Sequence, residues 1–369
     1  MIVKGRVVTP SGIVEGYVRI EGDRIAEVSP GDPGDGGWLV PGFVDIHNHG
    51  GGGHSFTTGD PEAARGAAEF HLRHGTTTLL ASLVSSPYQL MRTATQAFAP
   101  LVGEGVLAGI HFEGPYLSPA RCGAQNPAHL RDPSLDELAG LVTLGDGAVR
   151  MVTLAPERAG AIEAIRWLVD QRVVAAVGHT DASYEQTQAA IEAGASVATH
   201  LCNAMRPVHH REPGPIVALL AAGGVVCELV ADGVHLHDGM LAFAARTAGP
   251  DRTALVTDAI DATGMPDGAY QLGGQSVIVA DRVARLATAD GAPGAIAGST
   301  LTMDAALRRA VGAGVPLVEA VRMASTTPAR VLGLAEVLGS LTPGRRADLV
   351  ELDADLRVTR VMRAGDWVR

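Results

Sequence analysis

The chain has 369 residues and a formal net charge of −11 at pH 7, and hydrophobic residues make up 46% of it. This length allows one large domain plus a smaller one, and the acidic balance argues against a nucleic-acid partner, which would need a basic surface. No apolar run is long enough to span a membrane, and no export signal precedes the first predicted strand. We therefore predict a cytoplasmic protein with no membrane partner.

The N-terminal part of the chain consists of short β-rich runs. These runs predict three strands, at Ile2–Val8, Ile13–Ile20 and Arg24–Val28. The segment Leu349–Trp367 near the end of the chain returns to short strands, which we expect to complete the same sheet. We predict a small β-sandwich domain formed by residues 1–40 and 339–369.

Residues 41–338 alternate apolar runs with helix-length segments. The eight apolar runs are Leu39–His47, Thr76–Ser82, Val106–Glu113, Val149–Ala155, Val173–His179, Ser196–His200, Val225–Asp232 and Thr253–Asp258. Eight nearly continuous apolar strands, each followed by a helix, predict an α/β fold of the (β/α)8 TIM-barrel type with a parallel sheet. Paired glycine turns within 263–293 predict an inserted β-hairpin region near the barrel mouth.

Potential metal ligands close five of the predicted barrel strands. On the first strand, Asp45, His47 and His49 project from one face because side chains alternate, and two such imidazoles can share a metal ion. Barrel enzymes build their sites from the carboxyl ends of the strands, so we expect the candidate ligands to converge. Each position alone is compatible with a core histidine or a helix cap, but the set indicates a site: His47, His49, Glu113, His179, His200 and Asp258.

Several short motifs extend along nearly the whole chain. They include Pro41-Gly42-Phe43-Val44-Asp45-Ile46-His47, His111-Phe112-Glu113-Gly114-Pro115, Gly178-His179-Thr180, Thr199-His200-Leu201-Cys202-Asn203-Ala204-Met205, Arg211-Glu212-Pro213-Gly214, Ala231-Asp232-Gly233-Val234-His235 and Val256-Thr257-Asp258-Ala259. With these motifs the chain resembles the amidohydrolase superfamily and, within it, the family of sugar-phosphate deacetylases. The resemblance implies metal-dependent hydrolysis of N-acetyl-D-glucosamine 6-phosphate to D-glucosamine 6-phosphate and acetate.

The resemblance places Glu113, His179 and His200 at the family's metal positions and Asp258 at its catalytic position. A set of two histidines and one glutamate holds a divalent ion and leaves a position open for water. The ion lowers the pKa of water toward about 7, so hydroxide becomes available for attack on an amide carbonyl. Asp258 can take the proton of the water and later give it to the departing amine.

The resemblance also implies how the phosphate is bound. Arg211 is a fixed cation suited to bidentate phosphate binding, and the backbone of Asn203 and Ala204 adds donors. A local cation of this kind would meet an anionic substrate despite the negative net charge. His235, together with Asp232, matches the family position that reaches the ligand from the neighbouring subunit, so we predict a homodimer that shares His235 across its interface.

Further residues match the family's sugar pocket, and one departs from it. The matching positions are Ala124 and the turn at Ile296, Ala297 and Gly298. Family members often carry a histidine where this chain has Gln125, whose amide can donate a neutral hydrogen bond but cannot carry a positive charge. Carbonyl activation would then fall to a metal ion.

The presence of both His47 and His49 points to the same conclusion, since some relatives lack this pair and use a single metal. Of the one or two divalent ions that the ligand set allows, we predict two, with Glu113 bridging them in place of the carboxylated lysine of other amidohydrolases. The predicted metal is zinc, with iron, manganese and cobalt as alternatives.

Two other interpretations stay open from the sequence. A cyclic-amide hydrolase of the dihydroorotase type would share the barrel and the metal ligands, but it would leave the phosphate-binding arginine idle. A catalytically silent homologue would need none of the acid–base residues that this chain retains. An assay for acetate release separates the deacetylase from a silent homologue.

Overall fold

The computed structural model describes residues 1–368, so the last residue of the predicted 339–369 segment lies outside the described residues. An eight-stranded parallel sheet forms the predicted barrel, and a parallel bridge between Asn48 and Ala259 joins its first and last strand ends. The strands are Phe43–Asp45, Thr76–Val84, Gly109–Glu113, Val149–Leu154, Val174–Val177, Val197–Ala198, Val226–Val230 and Thr253–Val256. The predicted TIM-barrel fold is confirmed.

Helices surround the barrel and bury its apolar strands. The helical segments are Pro61–Arg73, Tyr88–Gly103, Leu135–Gly145, Ala161–Asp170, Tyr184–Glu192, Gly214–Ala221, Asp238–Ala248, Met303–Gly312, Leu317–Val321 and Thr327–Val331, with a π-helical turn at Arg322–Thr326 and 3₁₀ turns at Phe56–Thr58, Pro119–Arg121, Pro127–His129 and Pro250–Arg252. Ser183 and Gln186 form a capping box that begins the helix at Tyr184. Within residues 1–368, none of these helices has the length and apolar character needed to cross a membrane.

The two ends of the chain meet in one seven-stranded sheet. Its strands are Ile2–Thr9, Gly12–Glu21, Arg24–Pro30, Trp38–Pro41, Leu349–Leu352, Val358–Arg363 and Asp366–Trp367. Residues from both ends share its core, as Val7 and Leu39 pack in one cluster with Leu349 and Met362. The strands of the C-terminal segment therefore complete the N-terminal sheet, as expected.

The predicted run Leu39–His47 is divided between the two sheets. Trp38–Pro41 pairs with strands of the terminal sheet, whereas Phe43–Asp45 pairs with Thr76–Val84 in the barrel. Gly42 separates the two parts, and a Cβ atom there would lie 2.2 Å from Oγ1 of Thr77. Only glycine allows the chain to pass this close to the barrel as it leaves one sheet for the other.

The predicted hairpin within 263–293 is a three-stranded sheet. Its strands are Gly268–Leu272, Gln275–Ala280 and Val283–Leu286, and a two-stranded ribbon at Gly50–Gly51 and His54–Ser55 lies elsewhere. The additional turn is at Asp281 and Arg282, which both have positive φ angles. The Asp267 carboxylate accepts hydrogen bonds from both of their backbone N–H groups, which stabilises the turn.

Candidate active site

The six predicted ligands converge at the carboxyl ends of the barrel strands. They form two groups of potential metal donors, and the donor atoms within each group lie within 4.8 Å of one another. The first group is His47, His49 and Asp258, and the second is Glu113, His179 and His200. All six residues are buried, so the arrangement belongs to the interior of the barrel mouth.

Glu113 lies between the two groups. Its Oε1 atom is 2.9 Å from Nε2 of His200 and 3.1 Å from Nε2 of His179. Its Oε2 atom is 3.3 Å from Nε2 of His49 in the other group. One carboxylate thus contacts both sets of donors, which is the geometry that a bridging ligand requires.

Three of the six residues lie on sharp turns of the backbone that end their strands. The φ angles of His179, His200 and Asp258 are 47°, 29° and 50°. This left-handed region is unfavourable for residues with a Cβ atom, and such strain is concentrated at functional sites. The turns direct these side chains toward the centre of the mouth.

The hydrogen bonds of the histidines leave lone pairs at the centre of the cluster. Nδ1 of His179 donates to the carbonyl of Arg121 at 2.9 Å, and Nδ1 of His49 donates to the carbonyl of Ser82 at 3.1 Å. Their Nε2 atoms are therefore unprotonated in the neutral rings. These two Nε2 atoms point at carboxylate oxygens. In addition, the Nε2 atoms of His179 and His200 lie 3.1 Å apart. Acceptors that face one another in this way need a cation between them, so the residues fit a divalent metal centre.

Electrostatics favour positive charge at the same place. Burial lowers the pKa of His49, but the Asp258 and Glu113 carboxylates outweigh it and raise the pKa to about 9. Burial raises the pKa of Glu113, yet the surrounding histidines hold it well below its usual value. Both carboxyl groups of the cluster stay ionised, since the pKa of Asp258 is also lowered by His47 and His49 against the effect of burial.

A cavity of about 250 Å³ opens above the cluster. Seven of the predicted substrate-binding residues line it, namely Ala124, Gln125, Asn203, Ala204, His235, Ile296 and Gly298. Leu272, from the three-stranded insertion, also lines the cavity, although the sequence analysis did not single it out. None of these lining residues is an arginine or a lysine.

Three predicted substrate-binding residues do not line this cavity. Ala297 is fully buried and packs in an apolar cluster, so its side chain cannot reach a ligand. Asp232 is directed toward His235, whose Nδ1 atom donates to Oδ2 of Asp232 at 2.7 Å. Arg211 is exposed on a loop, where its guanidinium contacts the ring of His210.

The prediction that His235 reaches the site of a neighbouring subunit is wrong. Nε2 of His235 lies 3.9 Å from Oδ2 of Asp258 in the same chain, and His235 lines the cavity of its own chain. Asp232 fixes the ring there because it also accepts the backbone N–H groups of Val234 and His235, each at 2.8 Å. The turn that follows the strand Val226–Val230 therefore faces inward.

Gln125 contacts a ligand residue directly. Its Nε2 atom donates to Oε2 of Glu113 at 2.6 Å, and its Oε1 atom accepts the backbone N–H of Ser85 at 2.7 Å. The side-chain amide is thus held at both ends. In this arrangement one of the two N–H bonds of the amide is directed at Glu113.

Glu228 is a charged residue near the cluster that the sequence analysis did not select. It lies in the strand Val226–Val230, where the other four residues are apolar, and it is completely buried. Its Oε2 atom accepts hydrogen bonds from Nδ1 of His47 at 3.0 Å and from the backbone N–H of His200 at 3.1 Å. In the sequence, the feature that could have identified Glu228 is a single carboxylate inside an otherwise apolar barrel strand.

Comparison with known proteins identifies the family of this chain and proteins similar to it. A profile of the amidohydrolase family matches residues 38–368. An N-acetylgalactosamine-6-phosphate deacetylase of Escherichia coli O157:H7 is 38% identical over 98% of this chain and 97% of its own length. An N-acetylglucosamine-6-phosphate deacetylase of Bacillus subtilis (strain 168) is 37% identical over 98% of this chain and 94% of its own length.

Solved structures of deacetylases of this kind have the same fold as this chain. A mutant of the N-acetyl-D-glucosamine-6-phosphate deacetylase from Mycobacterium smegmatis, in complex with N-acetyl-D-glucosamine-6-phosphate, superposes with a TM-score of 0.95 at 46% identity. This similarity covers 100% of this chain and 98% of that one. The corresponding enzyme of Thermotoga maritima has a TM-score of 0.92 and 34% identity, over 100% and 99% of the two chains.

Proposed function

This chain belongs to the amidohydrolase family, and from this premise we propose that it hydrolyses N-acetyl-D-glucosamine 6-phosphate to D-glucosamine 6-phosphate and acetate. The observation that carries the proposal is the six-donor cluster beneath a sugar-sized cavity, in a chain that aligns along nearly its whole length with deacetylases of phosphorylated amino sugars. The bond that breaks is the linear amide between the acetyl group and the sugar nitrogen.

The proposed metal centre holds two divalent ions, with zinc as the proposed metal. His47, His49 and Asp258 would hold one ion, His179 and His200 the other, and Glu113 would bridge them. Bound ions supply Lewis acidity, which polarises the amide carbonyl and makes water more acidic. Imidazole and carboxylate donors suit zinc, and they also accept iron, manganese and cobalt.

Asp258 is the proposed acid and base of the reaction. Its carboxylate is ionised, because nearby histidines lower its pKa, so it can accept a proton from the attacking water. The same proton then passes to the nitrogen of the departing amine, which leaves as the neutral amino sugar. Oδ2 of Asp258 faces His235 across 3.9 Å, a spacing that leaves His235 free to hydrogen-bond the substrate beside the reacting bond.

Phosphate binding favours a permanently charged cation, and the described residues that line the cavity of a single chain include no arginine or lysine. The net charge of −11 makes an unassisted dianion unfavourable at this site. We therefore keep the proposed homodimer but change the residue that it shares. Arg211, which is exposed and outside the cavity of its own chain, is proposed to bind the phosphate in the site of the second chain. The cytoplasmic location stays a prediction.

The test of the proposed function is steady-state turnover on four compounds. We expect rapid acetate release from N-acetyl-D-glucosamine 6-phosphate and much slower release from its unphosphorylated form. The galactosamine epimer is the third compound, because relatives are named for both epimers. Dihydroorotate is the fourth and tests the cyclic-amide interpretation. No acetate release from any acetylated sugar, in protein loaded with metal, would contradict the proposal.

A further inference from the structure

Glu228 combines complete burial with a lack of ordinary charge compensation. Its side chain is 0% exposed, and within residues 1–368 no arginine or lysine forms an ion pair with it. Taking a carboxylate out of water costs several kcal/mol unless a positive charge or good hydrogen bonds offset the loss. Among residues 1–368, His47 is the histidine whose ring hydrogen-bonds the carboxylate of Glu228.

The contacts of Glu228 reach both halves of the metal cluster. Oε2 accepts from Nδ1 of His47, in the first group, and from the backbone N–H of His200, in the second. The main-chain carbonyl of Glu228 also accepts the N–H of Leu201 at 2.9 Å. The strand that carries Glu228 is therefore tied to the turn that directs the His200 ring.

The hydrogen bond to His47 decides which ring nitrogen is free. Because Nδ1 donates its proton to Glu228, Nε2 carries the lone pair and points toward His49, 3.2 Å away. Without an acceptor at Nδ1, the two neutral forms of the ring would compete, and the form protonated at Nε2 cannot bind a metal ion through Nε2. The carboxylate also makes the ring a stronger electron donor.

We propose that Glu228 is a positioning residue of the metal centre: it holds His47 in the metal-binding form and supplies buried negative charge that the bound cations offset. This inference rests on the proposed two-metal centre and adds a residue beyond its ligands. Hydrogen bonding alone does not account for a charged residue. Both bonds go to the same oxygen, Oε2, so a neutral glutamine in this position could form both of them, without the charge that strengthens them.

The second carboxylate oxygen of Glu228 supports a role for its negative charge in metal binding. Oε1 of Glu228 is buried and has no hydrogen-bond partner among the described residues 1–368. In Glu228→Gln, the amide nitrogen takes the place of this oxygen, so the variant keeps the shape and the two bonds while it loses the charge. Glu228→Met removes the charge and both bonds and brings no amide donor of its own, so it covers the case in which the glutamine amide destabilises the fold; the His200 N–H and Nδ1 of His47 lose their acceptor in this variant.

Thr153→Val provides a matched control. Thr153 is also fully buried inside the barrel, and its Oγ1 atom hydrogen-bonds His111 and Thr199, each at 2.8 Å, neither of which is one of the six proposed ligands. The full-length protein and the three variants would be stripped with a chelator. Zinc would then be titrated against a chromophoric competitor, and the melting temperature of the metal-free proteins would be recorded.

We expect Glu228→Gln and Glu228→Met to weaken the binding of at least one zinc ion by about 10–100-fold, the usual effect of losing such an outer partner. The melting temperature of the metal-free Glu228→Gln protein should stay close to that of the parent, since this variant can keep both hydrogen bonds, whereas Glu228→Met, which loses them, should melt at a lower temperature. Thr153→Val should change zinc affinity by less than about twofold. Zinc affinities within about twofold of the parent in both Glu228 variants would overturn the proposal, as would an equal loss in Thr153→Val.

A double-mutant cycle tests whether Glu228 affects zinc binding through His47. If Glu228 acts through His47, Glu228→Gln should cost little further affinity once His47→Gln has removed the ring, and an undiminished effect in that background would overturn the proposed route.

Zinc binding and acetate release by the parent protein separate this inference from the proposed function. Parent protein that binds two zinc ions but releases no acetate contradicts the function alone, whereas parent protein that binds none contradicts both.

Discussion

The amide of Gln125 donates a 2.6 Å hydrogen bond to Oε2 of Glu113, and the backbone N–H of Ser85 holds the other end of the same amide. Gln125 is therefore a partner of the proposed bridging carboxylate in this structure. A hydrogen bond to an ionised group contributes about 1.5–3 kcal/mol, roughly one to two factors of ten in an equilibrium constant.

The first prediction follows from this contact. Gln125→Leu should weaken metal binding by roughly tenfold or more, because Glu113 loses its amide donor, while kcat at saturating metal falls only a few-fold. Leu272→Ala, another cavity-lining change without a hydrogen bond to Glu113, is the control and should keep the parent's metal affinity. If Gln125 instead polarised the substrate carbonyl, kcat would drop by about 10²–10³-fold at full metal occupancy. Zinc titration and turnover on the same preparations distinguish the two cases.

The second prediction concerns Asp258. Asp258→Asn should retain substrate binding and at least the ion between Glu113, His179 and His200, while kcat falls by about 10²–10⁴-fold. Asparagine keeps the shape of the side chain but cannot carry the proton from water to the amine. Metal analysis, substrate-binding calorimetry and acetate release provide the measurements. Turnover within a few-fold of the parent would remove Asp258 from the acid–base role.

The third prediction tests the phosphate contact. Arg211→Ala should raise KM strongly for the phosphorylated sugar, because deleting one partner of a desolvated charge pair costs about 2–5 kcal/mol. The weak activity on the unphosphorylated sugar should hardly change, and this compound is the internal control. Equal losses on both compounds would mean that Arg211 has a structural role.

The fourth prediction tests the sharing of the site between two chains. Arg211→Ala and His235→Ala chains, each nearly inactive on the phosphorylated sugar alone, should regain activity when they are mixed. One of the two sites in a mixed dimer then combines an intact His235 from its own chain with an intact Arg211 from the other. Confirmed heterodimers that show no recovery would contradict the sharing.

The fifth prediction concerns the number of metal ions. Elemental analysis should find close to two divalent ions per chain after gentle purification. Replacing His47 by Gln and His49 by Asn should remove one of them and lower kcat greatly, because the ion between these residues and Asp258 is lost. One ion per chain under saturating supply, together with an active double variant, would leave a single-metal mechanism.

The sequence by itself determined the barrel and the convergence of the six candidate ligands. Parallel strands share one carboxyl edge, so residues such as His47 and Asp258 that close different strands must meet there, however far apart they lie in the chain. The alternation of side chains along a strand also placed His47 and His49 on one face. Both inferences need only local patterns and the rule that connects them.

The tertiary structure alone decided which side chains touch beyond those strand ends. His47 and Glu228 are 181 residues apart, and the packing of two non-adjacent strands brings them to 3.0 Å. The tertiary structure also decided the direction of the loops. Asp232 holds His235 in the cavity of the same chain, while Arg211 lies outside that cavity. A loop has no fixed side-chain period, so its direction depends on the hydrogen bonds that it finds in the folded chain, and no pattern within the sequence specifies them.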